Sequence, residues 1–301
     1  MSDAERDMVT IPAGTLLMGS ADFYPDESPV HERPIASFAI DRYQVTNAQY
    51  AEFIDATGYR TVAEQPLEPA DFPGANPADL VPGSMLFQPT CGPVNLNNWR
   101  LWWRWQPGAC WRYPLGPGSS YTDWLHHPVV HVAYPDALAY CDWAGLRLPT
   151  EAEHEYAARG GGVGRKFAWG NEPYPDGQAQ ANTWLGRFPY DNHGVGGTAP
   201  VGSYPANGYG LFDMIGNAWE WTSDYYTPIH LPPGTALDVG SRPNLLAHTS
   251  AEPGSTIPRR VLKGGSFLCS PDYCLRFRPA ARSPQSEDTG MAHVSFRCVR
   301  D

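Results

Sequence analysis

Alternating apolar and polar residues predict three extended segments. Residues 8–19 alternate and then turn, and Phe38 and Ile40 continue a strand into Asp41. A final strand is predicted over 294–298, with its apolar side chains on one face and its polar ones on the other: Val294, Phe296 and Cys298 against Ser295 and Arg297.

Three helices are predicted from apolar spacing and from end signals, over about 46–57, 135–145 and 150–160. Thr46 can cap the first helix, and Pro135 is a favourable residue at the start of the second. Thr150 and Glu153 form a capping box at the third, because each side chain can satisfy an exposed amide of the other. Glycines follow all three helices: Gly58, Gly145 and Gly160.

Two segments rich in Pro and Gly, residues 64–118 and 228–259, interrupt this pattern. The first also carries tryptophans at 99, 102, 103, 105 and 111, so we expect a loop-built layer packed on the core, with carbohydrate stacking as the alternative. The second is predicted to be a surface excursion. With 31 prolines and 30 glycines in 301 residues, we expect an α+β fold: one compact, loop-rich domain over 1–301 with little regular secondary structure.

Charge and hydropathy exclude several classes of partner. The net charge of −11 repels phosphate backbones and anionic lipid, so no nucleic-acid partner is expected. No apolar run approaches the length of a membrane span. Residues 1–7 are polar and lack the features of a signal peptide, so we expect a cytoplasmic protein, acting as a monomer, whose six cysteines are mostly reduced.

Two of those cysteines, Cys269 and Cys274, lie five residues apart with Pro271 and Asp272 between them. Pro and Asp favour a turn, which can bring the two sulfur atoms together. Arginines follow at 276, 278 and 282, and positive charge lowers thiol pKa values. Three interpretations remain open from spacing alone: a structural disulfide, two buried thiols that only pack, or a reactive pair that cycles through a disulfide or binds a soft metal such as Cu(I).

Longer motifs place the chain near a known family. They are Ile11-Pro12-Ala13-Gly14-Thr15, His127-Pro128-Val129-Val130, Arg147-Leu148-Pro149-Thr150-Glu151-Ala152-Glu153, Asn207-Gly208-Tyr209-Gly210-Leu211, Gly216-Asn217-Ala218-Trp219-Glu220-Trp221 and Phe296-Arg297-Cys298. The most specific is Gly264-Gly265-Ser266 followed by Cys269, Cys274 and the three arginines. In these motifs the chain resembles the formylglycine-generating enzymes, also called sulfatase-modifying factors, which have a C-type-lectin-like fold.

The resemblance implies a copper-dependent oxidase. Such enzymes use O2 and a thiol reductant to convert the cysteine of a Cys-x-Pro-x-Arg segment in an unfolded sulfatase into Cα-formylglycine. By the family pattern, Cys269 and Cys274 would hold Cu(I), and Ser266 would act beside them in catalysis. The same pattern implies a substrate pocket shaped by Trp219, Tyr273, Arg276 and His293.

The resemblance also implies a structural Ca²⁺ site. Its ligands would be the side chains of Asp213 and Glu220 and the carbonyls of Gly216 and Ala218. Without the resemblance, an ordinary turn with a solvated Glu is the simpler interpretation.

The chain departs from the family pattern at two histidines. His293 stands where many relatives carry Asn, and it could titrate near neutral pH. His154 replaces a usual Trp, a change expected to affect packing.

Two alternative functions stay open. One is a non-catalytic lectin-like binding module. The other is an iron-dependent sulfoxide synthase, which would need a histidine triad. His126, His127 and His131 are the nearest candidates for such a triad, although structural roles are favoured for them.

Overall fold

A computed structural model describes residues 6–67, 69, 76, 80–233 and 243–301. Its helices are α1 (Asn47–Thr57), α2 (Tyr134–Ala144), α3 (Glu151–Arg159) and α4 (Pro243–Ser250). Short 3₁₀ helices span Pro25–Glu27, Val62–Glu64, Trp99–Leu101, Tyr121–Trp124 and Pro175–Gly177. Among the residues described, none of the helices is long and apolar enough to cross a membrane.

In the described ranges, the strands are short and lie in four small sheets. They are β1 (Met8–Ile11), β2 (Gly14–Met18), β3 (His31–Ile35), β4 (Phe38–Asp41), β5 (Gly83–Phe87), β6 (Trp103–Pro107), β7 (Trp219–Tyr225), β8 (Arg259–Lys263), β9 (Arg282–Ser286), β10 (Val294–Ser295) and β11 (Val299–Arg300). The sheet orders are β1-β4-β11, β10-β7-β8-β9, β2-β3 and β5-β6, and every pairing is antiparallel except that of β10 with β7.

The helix predictions are confirmed to within a residue. In α1, Thr46 Oγ1 accepts the Gln49 N–H at 3.3 Å, and the Gln49 side chain accepts the Thr46 N–H at 2.9 Å. The same reciprocal box joins Thr150 and Glu153 at the start of α3. Gly160 ends α3 with φ 57°, and a Cβ there would lie 2.7 Å from a backbone nitrogen, so glycine is required.

The prediction of one strand over 294–298 is wrong. Val294–Ser295 pairs with β7, whereas Val299–Arg300 pairs with β4 in a different sheet. Alternation failed as a guide because Ser295 and Arg297 are as fully buried as their apolar neighbours.

The predicted loop-built layer over 64–118 contains the β5-β6 hairpin, and the predicted excursion over 228–259 contains α4. Residues 68, 70–75 and 77–79 of the first segment and 234–242 of the second lie outside the described residues.

Two apolar clusters form the core. The larger is organised by aromatic side chains of α1 and α2, where Tyr50 and Tyr140 stack at 5.8 Å and both contact Phe53. The smaller contains Trp102, Trp184, Phe188, Phe267 and Leu268. Because Phe267 and Leu268 directly precede Cys269, this second cluster anchors the segment that carries the cysteine pair.

Buried ion pairs connect distant parts of the chain. Lys263, at the end of β8, is fully buried and donates to Glu155 of α3 at 3.1 Å. Arg278 donates to Glu27 through two nitrogens, and Arg282 lies 2.8 Å from Glu151. A buried charge that loses its partner is strongly destabilising.

We therefore expect Lys263→Met to lower the free energy of unfolding by roughly 3–5 kcal/mol, because it removes a buried cation from two carboxylates. Glu252→Gln breaks an exposed pair with Arg259 and is the matched control, with an expected change of under about 1 kcal/mol. Urea unfolding followed by circular dichroism measures both. Equal effects of the two substitutions would show that the buried pair contributes no more than a surface pair.

Candidate functional site

The site is built on a turn that returns the chain on itself after Cys269. The Cys274 N–H donates to the Ser270 carbonyl at 2.9 Å, and Ser270 Oγ donates to Asp272 at 2.7 Å. This turn, favoured by Pro271 and Asp272 as predicted, brings the Cys269 and Cys274 sulfur atoms to 3.4 Å. Both are free thiols, so the structure does not contain the structural disulfide considered above.

Gly264 and Gly265 allow the backbone to enter this turn. Both have positive φ, at 90° and 79°. A Cβ on Gly265 would lie 2.9 Å from the Cα of Phe277 and 3.0 Å from the Arg276 carbonyl oxygen. Glycine is therefore needed both for the left-handed conformation and for the close approach of the two backbone segments.

The two thiols differ in exposure and in acidity. Cys269 is buried, and burial raises its pKa well above the ordinary value, with the neighbouring thiol adding to the rise. Cys274 is half-buried; the hydrogen bond from Cys269 lowers its pKa, and the positive charge of Arg276 helps, against the effect of burial. The first proton is therefore lost from Cys274, the thiol nearer the surface.

Ser266 lies directly against this pair. Its N–H donates to Cys269 Sγ at 3.4 Å, and its Oγ accepts the Leu268 N–H at 3.3 Å. The Ser266 Oγ also lies 3.2 Å from His293 Nδ1. Burial lowers the pKa of His293 to about 3, so the imidazole is neutral at pH 7 and does not titrate near neutrality, contrary to the possibility raised by its sequence. Nδ1 can then accept the Ser266 hydroxyl proton.

Aromatic side chains enclose the pair on one side. Tyr273 stacks on Phe188 with ring centroids 4.3 Å apart, and the edge of Trp102 meets Tyr273 at 5.6 Å. Trp103 packs against His293 at 4.7 Å. Burial, and then the neighbouring thiols, raise the pKa of Tyr273 to about 12, so its hydroxyl stays protonated.

Trp219 and Arg276 reach the site less directly than predicted. Trp219 is buried in the large core and meets the site through its backbone N–H, which donates to the His293 carbonyl at 2.8 Å. Arg276 donates to Asp26 at 3.0 Å and stacks on Tyr24 at 4.0 Å. Arg276 therefore acts on Cys274 through its positive charge, and that charge is already paired with Asp26.

Sequence reasoning missed Tyr24, Asp26 and Trp103 as parts of the site. The Tyr24 hydroxyl accepts the Leu275 N–H at 3.1 Å. Tyr24 and Asp26 lie at the short 3₁₀ helix Pro25–Glu27, and their partners are about 250 residues away, so no local pattern indicates them. The tryptophan pattern around 99–111 also gives no sign of contacts with Tyr273 and His293. Trp102 and Trp111 are fully buried and pack in the core, whereas Trp99 and Trp105 are exposed.

A cleft of about 400 Å³ is lined in part by Phe267 and Ala292. Its other lining residues are largely apolar and include Leu86, Leu115 and Val195. Phe267 and Ala292 are the chain neighbours of Ser266 and His293, but the cysteine pair itself does not line the cleft.

Three of the predicted calcium ligands, Asp213, Gly216 and Ala218, lie in one loop, and Glu220 follows as the second residue of β7. The ligand atoms of Glu220 and Ala218 are already engaged. Both oxygens of the Glu220 carboxylate accept hydrogen bonds from Arg297, and the Ala218 carbonyl accepts one from Gln44. Asp213 accepts the Gly202 N–H at 2.7 Å. The arrangement does not fit a calcium ion. In the part of the chain that the structure describes, no three His, Cys, Asp or Glu side chains are grouped to hold a metal.

The histidines near 127 have structural roles. His131 is fully buried between the Ser84 hydroxyl and the Pro114 carbonyl, each at 2.8 Å, and burial lowers its pKa to about 4. His127 meets Thr198 at 3.0 Å, and His126 is exposed. These contacts give no support to the iron-binding alternative.

Comparison with known proteins identifies the family. Residues 2–301 match the sulfatase-modifying factor enzyme 1-like domain. The chain belongs to that family. It is 57% identical over 300 residues to a formylglycine-generating enzyme from Mycobacterium tuberculosis, covering 98% of both chains. A formylglycine-generating enzyme from Thermomonospora curvata is 42% identical, over 98% of this chain and 94% of the relative.

Solved structures show the same fold. PvdO from Pseudomonas aeruginosa superposes with a TM-score of 0.59 at 25% identity, over 98% of this chain and 94% of that one. The predicted family and its mixed helix-and-strand fold are thus confirmed.

The exposures of the two thiols give a testable order of reactivity. In a Cys91→Ser background, which removes an exposed cysteine, iodoacetamide should modify Cys274 well before Cys269 at pH 7. Peptide mapping by mass spectrometry gives the order. Faster modification of Cys269 would contradict the assignment of Cys274 as the accessible thiol.

Proposed function

We propose that this chain converts the cysteine of a Cys-x-Pro-x-Arg segment in an unfolded sulfatase into Cα-formylglycine, using O2, a thiol reductant and Cu(I) bound by Cys269 and Cys274. The observation that carries this proposal is the pair of free thiols 3.4 Å apart, one buried and one half-buried. The names of the relatives at 57% and 42% identity support the same reaction.

The donor set suits Cu(I). Thiolates are soft ligands that select Cu(I), whereas a structural zinc ion needs four ligands. Only two sulfur atoms meet here, with no third metal-binding side chain grouped with them among the described residues. When bound, copper would supply the electron transfer that O2 activation requires.

The reaction balances with two equivalents of thiol reductant. O2 accepts four electrons, two from the substrate as its Cβ loses hydrogen and two from the reductant as it becomes a disulfide. With the two hydrogen atoms from the substrate Cβ–H and S–H and the two from the reductant thiols, both oxygen atoms of O2 end as water. The resulting thioaldehyde is hydrolysed to the aldehyde and H2S, which consumes one water molecule, so the net reaction releases one.

The chain's own residues orient and enclose the reacting group. The Leu268 N–H and His293 Nδ1 together fix the Ser266 hydroxyl, so that its oxygen has a defined direction beside Cys269. Tyr273 and Trp102 form an apolar wall that limits access of water. The cleft lined by Phe267 and Ala292 would hold residues that flank the substrate cysteine.

Cys269→Ser and Cys274→Ser should each abolish conversion, because a hydroxyl does not replace a thiolate as a soft ligand. Cys91→Ser is the matched control and should retain full activity, since Cys91 is exposed and has no part in the pair. The assay incubates a Cys-x-Pro-x-Arg peptide with enzyme, Cu(I), O2 and thiol, and detects the aldehyde by mass spectrometry after hydrazide capture. Full turnover by either site variant, or none by the wild type, would refute the proposal.

His293→Ala should lower kcat roughly tenfold, the equivalent of one lost hydrogen bond, because the Ser266 hydroxyl loses its acceptor. His293→Asn keeps an oxygen acceptor at this position and should retain most of the activity. Steady-state kinetics compare the two variants, with circular dichroism as the check on folding. Equal loss in both would show that size or packing, rather than hydrogen bonding, is the role of His293.

A further inference from the structure

The loop from Asp213 to Glu220 contains a carboxylate whose hydrogen-bonding capacity is fully used. Glu220 is completely buried. Its Oε2 accepts Arg297 Nε at 2.7 Å and His154 Nε2 at 3.0 Å, and its Oε1 accepts Arg297 Nη2 at 2.8 Å and Gln44 Nε2 at 3.1 Å. A carboxylate offers about four lone-pair positions, so none remains for a metal ion.

The nearby carbonyl of Ala218 is engaged as well. The Gln44 amide nitrogen donates to it at 2.7 Å, while the Gln44 amide oxygen accepts the Asn217 side chain at 3.2 Å. A single amide group thus bridges Glu220, Ala218 and Asn217. A calcium ion bound to Glu220 and the Ala218 carbonyl would have to displace it.

Arg297 is held firmly from the other side. It is fully buried. Its Nη1 donates to the Asp41 carbonyl at 3.1 Å, and Nη2, besides Glu220, also donates to the Phe212 carbonyl at 2.9 Å. A guanidinium stays charged at every pH that proteins tolerate. A divalent cation placed beside this buried positive charge would be repelled.

His154 completes the arrangement. Burial lowers the pKa of His154, and this effect is larger than the opposite effect of Glu220. The ring is therefore neutral, and its Nε2–H is the donor to Glu220. His154 is the residue that stands in place of the family's usual Trp. The substitution expected to matter only for packing therefore supplies a hydrogen bond to the central carboxylate.

We propose that the Arg297 guanidinium is the built-in cation of the 213–220 loop, assisted by the Gln44 amide and the His154 imidazole, and that this chain folds without calcium at this position. Arg297 thereby links the loop to β4 through the Asp41 carbonyl, a connection that a bound ion would otherwise have to make.

The first test measures whether calcium binds and stabilises the protein. Protein treated with EDTA and exchanged into metal-free buffer is heated with either 1 mM EDTA or about 1 mM free Ca²⁺ at equal ionic strength, and isothermal titration with CaCl2 measures binding. We expect equal Tm values and no binding heat. A rise of several degrees in Tm that is lost in Asp213→Leu, which has no side-chain oxygen, would place calcium at residues 213–220 and overturn the proposal.

Asp213→Leu also serves as the matched variant, because leucine has a similar size but no oxygen atom that could bind calcium. If Arg297 is the cation, this substitution removes only the acceptor of the Gly202 N–H, so Tm should fall by the same amount in both buffers. A calcium effect that persists unchanged in Asp213→Leu would arise outside residues 213–220 and would support the absence of calcium from them.

Glu220→Gln tests the importance of the Arg297 pair. Loss of the carboxylate leaves Arg297 buried without its counter-charge, so Tm should fall by roughly 10 °C or more, equally with and without calcium. If calcium were the cation, wild-type Tm would rise on addition of Ca²⁺ and Glu220→Gln would lose that response. Should Glu220→Gln fail to fold, the wild-type Tm with and without Ca²⁺ and the Asp213→Leu comparison decide between the two interpretations.

Discussion

Buried ion pairs on both sides of the cysteine segment are the constraint on which the site depends. Lys263, just before Gly264, is bound to Glu155 of α3. Arg278 and Arg282, just after the cysteines, are bound to Glu27 and Glu151. Such pairs stabilise a protein less than their Coulomb energy suggests, since each charge is desolvated. What they impose is position, because none of these charges can move without being left unpaired in the core.

Rigid anchoring is useful for this chemistry. Two thiols that bind a soft metal must stay close while one remains reachable by a large polypeptide. Here the segment that carries Cys269 is anchored by Phe267, Leu268 and their aromatic neighbours. A tight turn then brings Cys274 back to Cys269. The result is an asymmetric pair: burial raises the pKa of Cys269, whereas the hydrogen bond from Cys269 and the charge of Arg276 lower the pKa of Cys274. Rigidity and access are thus divided between two residues.

Local features of this fold were predictable and distant pairings were not. The caps at Thr46 and Thr150 and the turn at Pro271 depend on neighbours within five residues, so the sequence pattern contains the whole interaction. The resemblance implies a place for Arg276 in the substrate pocket, but its partner Asp26 lies 250 residues away and no periodicity connects the two. Alternation puts Arg297 on the polar face of a strand because it assumes that a charged side chain faces water. In the structure, Glu220 instead provides a counter-charge for Arg297 inside the core.

The separation between Glu27 and Arg278 has a consequence for biosynthesis. The two residues are 251 positions apart, and Arg278 is among the anchors of the thiol pair. At a translation rate of about 5–20 residues per second, more than about ten seconds pass between the synthesis of Glu27 and that of Arg278. Contacts of such high separation also slow folding, because a long loop must close before they form. The pocket is therefore assembled late, after most of the polypeptide has left the ribosome, and the nascent chain has to keep several carboxylates solvated until their arginines arrive.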